Sequence, residues 1–97
     1  MSDNILSIYV ICAGPSAKVG ISVRPKQRLA DLQCANPHEV LTLVFVAKGD
    51  TTAIRKAERI CHARLADKRL RNEWFSVSGD VAREAVIDSV NEAYGIS

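Results

Sequence analysis

Hydrophobic and polar positions along the chain predict a strand hairpin first and helices after it. Residues 5–12 are dense in β-branched and aromatic side chains, which predicts a buried strand. A turn signal at residues 13–16 and an extended pattern at residues 18–22 predict that this strand returns as an antiparallel hairpin. Gly20 lies inside the second strand, where a glycine indicates a bulge or the close approach of another group to the backbone.

The next segment has the spacing of a helix. Ser22 is a candidate cap, and Pro25 suits the first helical turn. Leu29 and Leu32 begin an apolar stripe at helical spacing, and the Asn36-Pro37 pair predicts the end of the helix. Residues 40–47 form the most continuous apolar run of the chain, which predicts a central, buried strand.

The second half of the chain predicts two more helices. Residues 50–52 offer caps for a helix that ends near Ala66, with a core-facing row of Ile54, Ala57, Cys61 and Leu65. Residues 72–75 predict a short extended segment whose aromatic side chains pack on the core rather than stack on bases. A last helix is predicted over residues 79–94, with an outward acidic stripe of Asp80, Glu84, Asp88 and Glu92.

These elements follow the order β-β-α-β-α-(β)-α. The predicted class is therefore α+β, with a small three-stranded, mainly antiparallel sheet flanked by helices. The chain has 97 residues, which suits one hydrophobic core, so we predict a single domain over residues 1–97.

Composition narrows the class of protein further. Apolar residues make up 47% and charged residues 25%, a balance typical of folded domains rather than disordered chains. The first residues, Met-Ser-Asp-Asn, lack the basic and apolar segments of a secretory signal, so we expect a cytoplasmic protein. The odd number of cysteines, which is three, is consistent with reduced thiols in that compartment.

The distribution of charge indicates more than the net charge of +2 does. Basic residues dominate between positions 55 and 71, whereas the C-terminal segment is acidic. A basic face of this kind could bind phosphates and release their counterions, although a solvated helix surface would have the same composition. The candidate nucleic-acid contacts are Arg55, Arg59, Lys68, Arg69 and Arg71.

Short motifs occur in an order that resembles a known family. Ser7-Ile8-Tyr9 in the first strand and Lys18-Val19-Gly20 in the second resemble the paired tripeptides of the GIY-YIG endonucleases. Arg28 and Glu58 stand where that family carries an arginine and a metal-binding glutamate. The string from Lys18 to Ser22, together with Asn36-Pro37 and Glu73-Trp74-Phe75, is similar to a subfamily of short phage and bacterial proteins. The resemblance covers residues 7–76 and implies a metal-dependent nuclease acting on DNA.

The resemblance also implies roles for individual residues. Glu58 would be the ligand of a Mg²⁺ or Mn²⁺ ion, and Arg28 would bind the phosphate by its forked guanidinium. Tyr9 would offer its hydroxyl to the attacking water. Lys18 replaces the second tyrosine of the family, and we favour phosphate binding over a role as a base, which would require a strongly lowered pKa.

Two further positions complete the candidate set. His62 lies one helical turn after Glu58 and could act as a general acid or base, or hold the carboxylate. Asn72 lies near the position of an asparagine that often supports the site in the family. For each candidate, a structural or surface role is the alternative. Glu73 could orient Arg28 or bind metal, or only form an ion pair with a neighbouring arginine.

Three functions remain open from the sequence. The first is a divalent-metal-dependent DNA endonuclease, and the second is a catalytically inactive nucleic-acid-binding module with the same fold. The third is a protein–protein adaptor that acts through the acidic stripe. Cleavage of both DNA strands from one site per chain would require a homodimer or two successive nicks, and a larger protein partner could supply specificity.

Overall fold

The computed structural model describes residues 5–96 and contains one antiparallel sheet with helices on both faces. The sheet has five strands in the order β3-β1-β2-β5-β4. The elements are β1 (Ile5–Ala13), β2 (Ser16–Ser22), α1 (Pro25–Ala35), β3 (Thr42–Asp50), α2 (Thr51–Arg64), a 3-10 helix (Ala66–Lys68), β4 (Arg69–Arg71), β5 (Trp74–Phe75) and α3 (Gly79–Ala93). The predicted α+β class, the hairpin and the three helices are confirmed.

The β1–β2 hairpin forms the middle of the sheet. Its pairing runs without interruption from Ser7 opposite Ser22 to Ala13 opposite Ser16. The tight loop between the strands has Gly14 at φ 57°, a left-handed conformation that costs glycine little. β1 is buried along most of its length because β2 and β3 flank it and helices cover both faces.

The prediction of a central, buried strand over residues 40–47 was wrong. The strand starts at Thr42, pairs only with β1 and forms one edge of the sheet. Val40 lies outside it and is exposed, and the side chain of Val44 is 40% exposed. The run is apolar because its alternate residues face two helical layers, a pattern that a central strand shares.

The predicted number of strands was also wrong. A short hairpin of β4 and β5 extends the sheet beyond β2, giving five strands rather than three and one short segment. β4 has the sequence Arg-Leu-Arg and is exposed throughout, as a short charged edge strand can be. Its three residues are too few to show the alternation of apolar and polar positions that predicts a strand.

The two faces of the sheet carry different layers. α2 and α3 cover a core that includes Ile8, Val10 and Val19. On the opposite face, the half-buried Leu29 and Leu32 of α1 pack against Tyr9 and Ile11. The apolar stripes predicted for α1 and α2 therefore contact the sheet, although no residue of α1 is fully buried.

Helix ends follow the predicted caps in part. The side chain of Asp50 accepts hydrogen bonds from the backbone N–H groups of Thr52, at 3.0 Å, and Ala53, at 3.3 Å. Ser22 does not cap α1; its hydroxyl accepts a hydrogen bond from the backbone N–H of Arg24 just before the helix. Across the described residues 5–96, every helix is too short or too polar to cross a bilayer.

Candidate active site

The site forms along the part of β2 that β5 leaves uncovered. β5 pairs with β2 only at Ala17 and Lys18, so no strand of the described part of the chain pairs with the following residues of β2 on that side. The backbone N–H of Val19 instead donates to the carbonyl oxygen of Glu73 at 3.1 Å. The carbonyl oxygen of Val19 lies 2.9 Å from Nε2 of His62 on α2. These two contacts bring α2 and the segment before β5 to the edge of β2.

Lys18 and Glu73 form a close ion pair in this region. Nζ of Lys18 lies 2.7 Å from Oε1 of Glu73, and their side chains are 7% and 39% exposed. A buried ammonium group requires a partner, since an unpaired charge is costly away from water. The sequence indicated that Glu73 could orient Arg28, bind a metal ion or pair with a neighbouring arginine. Its partner is instead Lys18, and no local pattern connects two residues 55 positions apart.

Glu58 lies beside this pair in an environment that disfavours its charge. Its Oε2 atom is buried and has no hydrogen-bond partner among the described residues. Burial raises the pKa of the Glu58 carboxyl, and the negative charge of Glu73 raises it further. His62 and Lys18 act in the opposite direction, and Nε2 of His62 lies 4.0 Å from Oε2 of Glu58. The site thus holds two adjacent carboxyl groups, and the positive groups nearby only partly offset the unfavourable charge of Glu58.

The ring of Tyr9 lies against the backbone at Gly20, which explains why this position is a glycine. A Cβ atom on Gly20 would lie 2.4 Å from the hydroxyl oxygen of Tyr9 and 2.6 Å from its Cζ atom. The prediction that a group approaches the backbone at Gly20 is therefore confirmed, and the group is the Tyr9 ring. Burial raises the pKa of Tyr9, whereas hydrogen bonding to Arg28 of α1 lowers it. Arg28 of α1 therefore lies close enough to the Tyr9 hydroxyl of β1 to influence its pKa.

The contact with Val19 defines the proton positions of a neutral His62 ring. A carbonyl oxygen can only accept a hydrogen bond, so Nε2 of His62 carries the donated proton. In the neutral ring, Nδ1 is then left with a free lone pair. Phe75 supports the ring in a tilted arrangement with 5.3 Å between ring centroids. His62 is therefore oriented by one backbone contact and one aromatic contact.

Asn72 lies apart from these contacts. It occupies the turn between β4 and β5 with φ 52°, is exposed, and accepts a hydrogen bond from Arg69 through its backbone carbonyl. The left-handed conformation suits asparagine and explains the residue on structural grounds. Its supporting role in the site stays a prediction.

The predicted basic residues fall into two exposed groups. Arg55 and Arg59 project from α2, on the turns that also carry Glu58 and His62. Lys68, Arg69 and Arg71 lie in the 3-10 helix and β4, and the guanidinium of Arg69 stacks 5.1 Å above the Phe75 ring centroid. The first group shares α2 with Glu58, and the second lies along the outer edge of the sheet.

A third basic group was not predicted. Arg24, Lys26 and Lys48 line a surface pocket of about 400 Å³ at the start of α1, together with the exposed Val23. The two basic residues around Pro25 are visible in the sequence, but Lys48 joins them only through the pairing of β3 with β1. Basic side chains therefore lie on both sides of the sheet.

A metal ion at this site would depend on few protein ligands. Within residues 5–96, no group of three or more histidine, cysteine, aspartate or glutamate residues is arranged to hold a metal. Glu58 nevertheless fits a hard divalent cation, because its buried Oε2 atom lacks a donor and a cation would compensate its charge. Glu73 is the second carboxylate within reach of the same region.

The T5orf172 domain profile matches residues 7–91, which is most of the chain. The chain belongs to the T5orf172 domain family. T5orf172 domains occur in nuclease-like proteins of phages and bacteria. The match includes all the residues of the cluster described above, from Tyr9 to Glu73. No curated protein and no solved structure matches the chain. The narrower assignment to the GIY-YIG family stays a prediction.

Proposed function

We propose that this T5orf172 domain is a divalent-metal-dependent endonuclease of GIY-YIG type that hydrolyses DNA phosphodiester bonds. The observation that carries the proposal is the buried Oε2 atom of Glu58, which has no hydrogen-bond partner within residues 5–96 and lies beside a second carboxyl group. Lys18 and Arg28 supply positive charge close to this carboxyl pair. In metal-assisted hydrolysis of a phosphodiester, carboxylates hold the metal ion and nearby cations stabilise the negative charge of the phosphate.

Two cations would bind the phosphate in this proposal. Lys18 has three N–H donors, so its contact with Glu73 leaves two for phosphate oxygens. Arg28 reaches Tyr9 from the exposed surface of α1, and its guanidinium can contact two phosphate oxygens at once. The two side chains would hold the phosphate over the sheet, between Tyr9 and Glu73.

Two groups could take a proton from the attacking water. Nδ1 of His62 has a free lone pair in the neutral ring, because Nε2 donates to Val19. The Tyr9 hydroxyl lies beside Arg28, which lowers its pKa against the larger effect of burial. We favour His62 as the base, because the lone pair on Nδ1 is free to accept a proton, whereas burial raises the pKa of the Tyr9 hydroxyl.

Glu58 would hold the Mg²⁺ or Mn²⁺ ion, with Glu73 as a second carboxylate nearby. When bound, such an ion stabilises negative charge that develops on the phosphate and the leaving oxygen. A cation would also remove the unfavourable charge environment of Glu58. Binding of Mg²⁺ or Mn²⁺ should therefore raise the melting temperature of the DNA-free protein, and the Glu58→Gln variant should lose this increase.

A catalytically inactive DNA-binding module is the second candidate. The observation in its favour is Lys18, which replaces a family tyrosine and forms an ion pair with Glu73. In this alternative the pair would be structural, and the exposed basic groups would bind the DNA backbone. DNA binding should then fall steeply with salt concentration, without any metal-dependent strand breaks.

Nicking of supercoiled plasmid by the purified protein tests the proposal directly. Nicks are expected with Mg²⁺ or Mn²⁺, are expected to disappear with EDTA, and should be abolished in Glu58→Gln. Glu84→Gln is the matched control, because it makes the same chemical change at an exposed position of α3. Equal nicking by Glu58→Gln and the wild type would remove Glu58 from the mechanism.

Gel retardation of the same plasmid separates the remaining alternatives. Retardation without nicking under any metal condition would favour the binding module. If the protein neither nicks the DNA nor slows its migration in the gel at moderate salt, both nucleic-acid functions are excluded. The result would then favour the adaptor hypothesis. Reversing the charges of Glu84 and Asp88 would then test the acidic stripe as its contact surface.

A further inference from the structure

A shallow pocket of about 260 Å³ adjoins the candidate site on the α1 side of the sheet. Trp74 lines it and is the cross-strand partner of Lys18 on β2 and of Arg71 on β4. Directly paired side chains on neighbouring strands lie about 4.5–5.5 Å apart at Cβ. The pocket is therefore separated by only one strand position from the Lys18–Glu73 ion pair.

The lining of this pocket combines a flat aromatic surface with polar groups. The half-buried Trp74 packs against the core beside Tyr9 and Ile11, as predicted, and also lines the pocket. The exposed Leu70 forms the other apolar wall. Arg71 adds a cation, while Asn36 and Glu39 add hydrogen-bonding groups. A planar heteroaromatic ring attached to an anion matches this combination, since indole stacks on the ring and arginine binds the anion. Pockets for drug-sized ligands start at about 300 Å³, so this one suits a single ring system.

The pocket wall is held in place before any ligand binds. The side-chain amide of Gln33 donates to the carbonyl oxygens of Asn36, at 3.0 Å, and Glu39, at 2.6 Å. Its Oε1 atom accepts from the backbone N–H of Leu41 at 2.9 Å. The side chain of Asn36 donates to the carbonyl of Leu32 at 2.8 Å. One glutamine thus fixes the loop between α1 and β3, and a fixed wall lowers the entropic cost of binding.

We propose that this pocket binds an unpaired nucleobase of the DNA substrate, stacked on Trp74, next to the phosphate held by Lys18 and Arg28. The proposal rests on the proposed function and adds substrate selectivity to it. A base can enter the pocket only where it is free of its complementary strand. The protein should therefore prefer single-stranded, flapped or mismatched DNA over a perfect duplex.

Intrinsic fluorescence tests this proposal without any cleavage, because Trp74 is the only tryptophan of the chain. The 97-residue protein is titrated with a labelled single-stranded oligonucleotide in EDTA, and tryptophan emission and label anisotropy are recorded together. Both signals are expected to saturate at the same DNA concentration. An abasic oligomer of equal length should raise anisotropy with little change in emission.

Variants of Trp74 give an independent measurement. Trp74→Leu should weaken single-strand binding about tenfold to a hundredfold, whereas Trp74→Phe should retain most of the affinity. Binding to a perfect duplex should be the same in all three proteins. Urea unfolding of each variant verifies that the fold persists. The substitutions leave the α2–α3 core intact, because Phe75, the neighbour of Trp74 in β5, faces that core and is not substituted.

The outcomes separate this inference from the proposed function. Anisotropy that saturates without a change in tryptophan emission, with unchanged affinity in Trp74→Leu, would overturn the nucleobase pocket and leave the nuclease proposal standing. Equal emission changes with the abasic oligomer would also overturn it, since the backbone alone would be the cause. Plasmid nicking by Trp74→Leu, read separately, shows whether the site itself still functions.

Discussion

The two faces of the sheet differ in what they bury. The α2–α3 face buries apolar side chains such as Ile8, Val10, Ile54 and Val86. The α1 face buries Tyr9 and Lys18, both of which carry polar groups, and α1 adds only half-buried leucines. Burial of polar groups costs free energy unless they are paired, so the second face stabilises the fold less for a similar area.

The difference indicates a division of roles within a small domain. The α2–α3 face supplies most of the stabilisation, which allows the α1 face to hold a buried lysine, a buried tyrosine hydroxyl and an open pocket. Glu58 and His62 extend from the stable layer and reach the open edge of β2. The candidate site thus lies where the two layers meet, with its charged groups supported from the better-packed side.

The largest expected effect comes from removing apolar contacts on one face at a time. Ile54→Ala should lower the free energy of unfolding by about 2–5 kcal/mol, because Ile54 is fully buried in the α2–α3 core. Leu32→Ala on α1 should cost only about 1 kcal/mol, since its side chain is half-buried. Urea unfolding measures both changes. Equal losses would contradict the division of roles between the faces.

A smaller effect is expected at the contact between Tyr9 and Gly20. Gly20→Ala places a Cβ atom against the Tyr9 ring and should destabilise the protein by about 1–3 kcal/mol. In a Tyr9→Leu background, the same substitution should cost clearly less, because the atoms in conflict are absent. Chemical unfolding of the four proteins of this cycle checks the prediction. Identical costs in both backgrounds would show that the ring is not the obstacle.

The smallest expected effect is the pH dependence due to Glu58. Its raised pKa means that the folded protein binds this proton more tightly than the unfolded chain does, so ionisation weakens the fold as pH rises above the ordinary value of 4.5. Glu58→Gln should therefore be more stable than the wild type at about pH 7, and the difference should vanish below about pH 4. Glu84→Gln should show no such dependence in parallel urea titrations. A constant difference across this range would exclude Glu58 as its source.

Local sequence patterns predicted the elements well because each depends on neighbouring residues. The hairpin follows from the turn at Gly14-Pro15, and α2 follows from the cap at Asp50. The position of β3 at the sheet edge could not be predicted in this way. Strand order depends on pairing between distant segments, and a run apolar on both sides suits an edge strand beneath two helical layers equally well.

The candidate site was predictable only in part. The family resemblance led to Tyr9, Lys18, Glu58 and His62, and the structure brings these residues together around β2. It could not indicate the partner of Lys18, because Glu73 reaches it through the pairing of β5 with β2. The pocket at Trp74 was missed for a similar reason, since its walls come from three separate segments of the chain.

The order in which the strands of the sheet can pair during synthesis follows from their order in the sequence. β1 and β2 are joined by a short turn and can pair as soon as both have left the ribosome, since closing a short loop costs little entropy. β3 follows β2 and α1 in the sequence, so both must be synthesised before Asp50 can pair with Ile5. Lys18 and Glu73 are 55 positions apart, so Lys18 stays without its counter-charge until the chain has been made as far as Glu73. A nascent chain therefore contains the sheet centre well before it can contain the site.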